Sequence, residues 1–135
     1  MAFRNIADMK VKDLMTHGVV TIQMDVSILD VVKLLVSENI HAVVVVSDDG
    51  EAVGVISEID IVKSFDEDFS KLMAKDIMSR NLKTVREDMK ISDAAKIMKN
   101  NRIHRLLILN EKNKPIGILC AADIMRAIND IAKER

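Results

Sequence analysis

Apolar residues along this chain follow two spacings. Ile28, Val31, Val32 and Leu35 stand at i, i+3, i+4 and i+7, one face of a helix, and Ile91, Ala94, Ala95 and Met98 repeat the pattern. Elsewhere the apolar residues bunch into short runs at residues 19–22, 43–46 and 53–56, and again at 82–85, 106–109 and 116–119. These runs are short and rich in Val, Ile and Leu, and they predict strands. SDDGE (47–51) and NEKNKP (110–115) carry the Gly, Asn and Pro of turns, so the second and third run of each set predict a hairpin. A last helix is expected to start near Glu58 and near Ala121. Asp25 or Ser27 offers an N-cap for the first periodic helix, and Asp88 for its counterpart. The order is β-α-β-β-α, written twice.

The two halves match at an offset of 63 residues without a gap. Lys12, Asp13 and Met15 meet Lys75, Asp76 and Met78; Ile28, Asp30 and Lys33 meet Ile91, Asp93 and Lys96. Ile40 and His41 meet Ile103 and His104, and Gly54, Asp60 and Ile61 meet Gly117, Asp123 and Ile124. The chain therefore reads as a tandem duplication of class α+β. Residues 1–10 form an N-terminal segment expected to be helical, 11–65 the first copy, 66–73 a linker, 74–128 the second copy and 129–135 the end of the last helix. Copies of about 55 residues bury too little surface alone, so the two are expected to pack with pseudo-twofold symmetry and leave two equivalent clefts between them.

Composition narrows the class. Hydrophobic residues make up 49% of the chain, enough for a core, and the net charge of −1 gives no pull toward nucleic acid or anionic lipid. With no Trp or Tyr, and with Phe3, Phe65 and Phe69 the only aromatics, the chain is poor in platforms for stacking bases, which argues against nucleic-acid binding despite the basic cluster KNNRIHR (99–105). The apolar run at 42–46 is too short to span a bilayer, and MAFRNIADMK is too broken by charge for a signal peptide. The lone Cys120 points to a reducing compartment. The expected location is the cytoplasm.

Candidate chemistry sits in GVISEID (54–60) and its copy GILCAAD (117–123). Gly54, just upstream, lets a ligand approach the backbone closely. Ser57, with the free N–H groups of the helix it opens, suits an anion. Asp60, one turn on, suits a vicinal diol, because neighbouring hydroxyls can both donate to it. Anion plus diol describes a ribonucleotide. The same Ser-x-x-Asp spacing is also a capping box, and both readings stand at this point. Cys120 favours the ligand: cysteine is a poor cap, yet Asp123 is kept. His41 and His104 open the second strand of each copy, and Arg105 follows His104 with a forked donor set suited to phosphate. Each of these residues also fits a plain polar strand end.

KDLM and KDIM, the strand IHRLLIL and the helix entry GVISEID, in this order and twice over, resemble a pair of cystathionine-β-synthase (CBS) domains, a Bateman module, over residues 11–128. The resemblance implies a regulatory module that binds adenosine compounds (AMP, ADP, ATP or S-adenosylmethionine) in the two clefts and commonly dimerises. It implies one cleft with Asp123, Cys120, His104 and Arg105 beside Thr16, Thr21 and Ile40. The other takes Ser57, Asp60 and His41 with Ser79, Thr84 and Ile103. The first lacks the hydroxyl, having Cys120; the second lacks the basic residue, having Ala42. Charge-assisted bonds outweigh a neutral hydroxyl, so the Asp123 cleft is expected to prefer a phosphorylated ligand and the Asp60 cleft a less anionic one.

No metal-ligand spacing and no Walker loop occur, and the nine Met read as core filler. A thiol enzyme would pair Cys120 with His104 but lacks an orienting third group. The expectation is a stand-alone sensor, not an enzyme and without a required cofactor. It is expected as a homodimer that signals to an unknown effector protein. The alternative is a scaffold with decayed sites.

Overall fold

A computed structural model describes residues 2–133. Its elements run α1 (Ala2–Asp8), α2 (Val11–Leu14), β1 (Thr16–His17), β2 (Thr21–Gln23), α3 (Ile28–Ser37), β3 (Ala42–Val46), β4 (Ala52–Ser57) and α4 (Glu58–Lys63). A short 3-10 turn at Phe69–Lys71 precedes α5 (Ala74–Ile77), β5 (Thr84–Arg86), α6 (Ile91–Asn101), β6 (Arg105–Leu109), β7 (Pro115–Cys120) and α7 (Ala121–Lys133). The α+β class and the doubled β-α-β-β-α order are both present.

The chain divides into two compact units. One spans Val19–Leu82; the other joins the residues up to Gly18 with those from Lys83 onward. Each copy therefore gives its opening segment, KDLM or KDIM, to the unit built on the other copy. The cause is apolar. Val11 and Met15 lie buried with Val85, Ile91, Leu106, Ile108 and Leu119, while Ala74 and Met78 lie buried with Ile28, Val31, Val43 and Ile56.

In the unit of residues 19–82, β2 runs parallel to β3, and β4 returns antiparallel to it. Ser79 bridges to Val55 on β4. The other unit repeats this plan with β5, β6 and β7, and β1 pairs with β7 through Thr16 opposite Ile118 and His17 opposite Gly117. Even the irregularities recur, at Val45/Val46 and at Ile108/Leu109.

Ser27 caps α3 by accepting the Asp30 N–H at 3.2 Å. Asp88 does not cap α6; Lys90 holds that position without a side-chain bond, because the helix begins three residues beyond Asp88. The strands expected at 19–22 and 82–85 begin at Thr21 and Thr84 instead. Strand β1 was not foreseen. It is two exposed polar residues long, and no alternation can mark so short an edge.

Gly54 and Gly117 have a structural task. Both are buried. A Cβ at Gly54 would lie 2.6 Å from the Met78 sulfur, and one at Gly117 would lie 2.6 Å from the Thr16 carbonyl oxygen. The close approach foreseen for a ligand at Gly54 is made by the chain itself, since its own opening segments need that room.

Candidate functional site

Four helices open with one device. An Asp at the third helical position accepts the backbone N–H of the residue before the helix. The pairs are Asp13 with Lys10 at 2.9 Å, Asp60 with Ser57 at 2.8 Å, Asp76 with Met73 at 2.8 Å and Asp123 with Cys120 at 2.7 Å. The bond uses the backbone of the preceding residue, so cysteine makes it as well as serine does. Cys120 thus gives no argument against capping: the carboxylate of Asp123 keeps its half of the cap whatever stands at 120.

What separates Asp123 from the others is its surroundings. It is the buried charged residue of the described chain, 6% exposed. Its Oδ2 accepts the Cys120 N–H, and its Oδ1 accepts from the Arg126 guanidinium one turn further along α7. Burying a carboxylate demands such partners. Strand pairing puts Arg105 opposite Cys120, and the Ala121 N–H donates to the His104 carbonyl at 2.8 Å. Thr16 joins the same sheet through β7. One unit therefore holds Thr16, His104, Arg105, Cys120 and Asp123 of the sequence-derived set, as residues of one sheet and of the helix that follows it.

Burial pushes the Cys120 thiol above its ordinary range, and the negative charge of Asp123 adds to this, while Arg105 pulls the other way. The thiol stays protonated near neutral pH, the opposite of what a nucleophile requires.

The unit of residues 19–82 holds His41, Ser57, Asp60 and Ser79. Ser57 donates twice to Asp60 Oδ2, from its N–H at 2.8 Å and its hydroxyl at 3.0 Å. The Oδ1 of Asp60 makes no hydrogen bond among the described residues, and Asp60 is half-buried. The residue matching Arg126 is Lys63, which forms no ion pair with Asp60 among the described residues. His41 Nδ1 lies 2.7 Å from Glu58 Oε1, an exposed pair. The second copy has Ala121 in place of Glu58, and His104 forms no ion pair among the described residues. Beside His41 and Glu58, a groove of about 350 Å³ is lined by Leu35, Val36, Ile40 and Ile61.

Thr21 and Ile40 belong to the unit of residues 19–82, Thr84 and Ile103 to the other. Both threonines are exposed and both isoleucines half-buried. Sequence reasoning missed Arg126 and Glu58. The signal for Arg126 was present, since Asp and Arg three apart on a helix share a face.

Among the described residues no helix is long and apolar enough to cross a membrane, and no group of three His, Cys, Asp or Glu is placed to hold a metal ion.

A duplicated sheet-and-helix unit with an Asp-anchored helix following each hairpin defines a recognisable class. The CBS domain model matches residues 11–67 and 74–130, and the chain belongs to that family. Among curated relatives, the uncharacterized protein MJ1426 of Methanocaldococcus jannaschii is 30% identical, over 89% of this chain and 91% of that protein. The uncharacterized protein MJ1232 of the same organism is 36% identical, over 93% of this chain and 41% of its own length. A homoserine O-acetyltransferase of Methanosalsum zhilinae is 36% identical over 89% of this chain, which spans 24% of that protein. This chain thus covers under half of two of these three relatives.

Among solved structures, the CBS domain pair of protein MJ0100, in complex with 5′-methylthioadenosine and S-adenosyl-L-methionine, has a TM-score of 0.81 at 28% identity. The match covers 90% of this chain and 97% of that one. CBSX2 in complex with AMP has a TM-score of 0.79 at 26% identity, covering 91% and 98%.

Proposed function

We propose that this chain is a regulatory module that senses adenosine compounds and passes a change of conformation to a partner. The observation that carries the reading is the likeness, over nine-tenths of the chain, to two CBS pairs whose crystal structures contain such compounds. The Asp123 half-site is assigned the phosphorylated ligand, because Arg105 stands opposite Cys120 on the paired strand. The Asp60 half-site, with Ala42 in the matching place, is assigned a less anionic compound such as a methylthioadenosine. Asp60 and Asp123 are proposed to receive the ribose hydroxyls. Thr21, Ile40, Thr84 and Ile103 keep the contacts to the base that the family resemblance gives them.

The module is proposed to act without catalysis, as a homodimer in the cytoplasm. Helices α3 and α4 leave Leu29, Val36, Ile59 and Val62 exposed, which supports a partner on those faces. The second reading, a dimerisation scaffold without ligand, is favoured by one observation: both carboxylates already cap their own helices.

A thermal-shift panel of AMP, ADP, ATP, S-adenosylmethionine, 5′-methylthioadenosine and NAD separates the two. A ligand at 100 times its Kd adds about 2.7 kcal/mol of stability, a rise of several degrees in Tm. A flat panel favours the scaffold.

A further inference from the structure

The two carboxylates differ in what a sugar hydroxyl would meet on arrival. At Asp60, among the described residues, only Oδ2 is engaged, by Ser57. At Asp123 both oxygens are engaged, Oδ2 by the Cys120 N–H and Oδ1 by the Arg126 guanidinium. The carboxylate is 4% exposed and the arginine side chain 67% exposed. The buried member is therefore fixed, and the solvated member can leave. Swinging Arg126 into water strips a charge-assisted bond from Asp123, and a ligand hydroxyl has to replace it.

We infer that Arg126 is an internal competitor for the Asp123 half-site, a latch that occupies Oδ1 until a ribose hydroxyl displaces it. The inference rests on the proposed adenosine reading and deepens it. Arg126 acts on specificity: it raises the affinity threshold of one site and leaves the other alone. Lys63, three residues after Asp60 as Arg126 is after Asp123, makes no matching pair among the described residues. The first copy is then the unlatched site.

The test uses a probe without phosphate, so that loss of a positive charge does not confuse the result. 5′-Methylthioadenosine is titrated calorimetrically into Asp60→Ala protein with and without Arg126→Gln. Removing the latch should tighten binding about fivefold, the scale of a partly exposed ion pair converted to an equilibrium constant. The reciprocal change places the latch where it is absent: Lys63→Arg in Asp123→Ala protein should weaken binding by about the same factor. This arm stands even where Arg126→Gln does not fold. Unchanged affinity in the reciprocal arm, or unchanged or weaker binding on removing Arg126, overturns the latch. Absence of binding by any compound of the panel to the unsubstituted chain overturns the adenosine reading itself, and the latch with it.

Discussion

The half-sites at Asp60 and Asp123 are written with one phrase and built on one backbone. They share the hairpin register, the helix entry and the carboxylate-to-N–H bond, at 2.8 and 2.7 Å. Four of their side-chain differences change polar or charged groups. Ser57, Ala42, Glu58 and Lys63 in the first copy face Cys120, Arg105, Ala121 and Arg126 in the second. The comparison separates two layers of design. What the backbone does alone survives duplication unchanged, while the groups proposed to meet a ligand have drifted apart. The first proposed half-site keeps a hydroxyl and a carboxylate oxygen without a hydrogen bond among the described residues, and the second holds a buried acid paired with Arg126.

The largest expected effect breaks the shared layer. Gly117→Ala drives a Cβ into the Thr16 carbonyl, which is backbone and cannot yield without lifting β1 off β7. Gly54→Ala meets the flexible end of Met78 instead, although its Cβ also lies close at 3.0 Å. Urea unfolding should show a loss of about 2–3 kcal/mol for the first and about 1 kcal/mol for the second. Equal losses would mean that the two units absorb strain alike.

A smaller effect sharpens the divergent layer. Burial, joined by the Asp123 charge, raises the Cys120 thiol pKa in the folded chain. Folding then favours the neutral thiol. That contribution is complete below the unfolded thiol's value of about 8.5 and is lost as pH climbs toward the higher folded value. The stability of the parent should fall relative to Cys120→Ala between pH 8 and 10. The group is partly exposed, so solvent screening holds the difference to roughly a few tenths of a kcal/mol. Parallel stability curves would show that the thiol feels neither its burial nor its neighbour.

Much of this was legible in the sequence. Helix α3 and helix α6 stand where the i, i+3, i+4, i+7 pattern put them, and the hairpins fall on the paired apolar runs. These are elements whose burial is set by local periodicity. The exchange of opening segments was not legible. KDLM and KDIM are too short to carry a period, and their burial is decided by Met15 and Met78 reaching the core of the unit built on the other copy. At the proposed site, repetition singled out the Asp pair, and the structure places both at helix starts, yet the inference drawn from Cys120 failed. It treated the cap as a side-chain matter, and the bond proved to come from a backbone N–H. Arg126 was overlooked because the first copy has Lys63 there, and a search for identities passes over a position whose meaning lies in the difference.

The most direct measurement is calorimetric titration of AMP into the parent chain, Asp60→Ala and Asp123→Ala. The account predicts that Asp123→Ala abolishes the tightest AMP binding while Asp60→Ala leaves it intact. Loss of AMP binding in Asp60→Ala with retention in Asp123→Ala would contradict it.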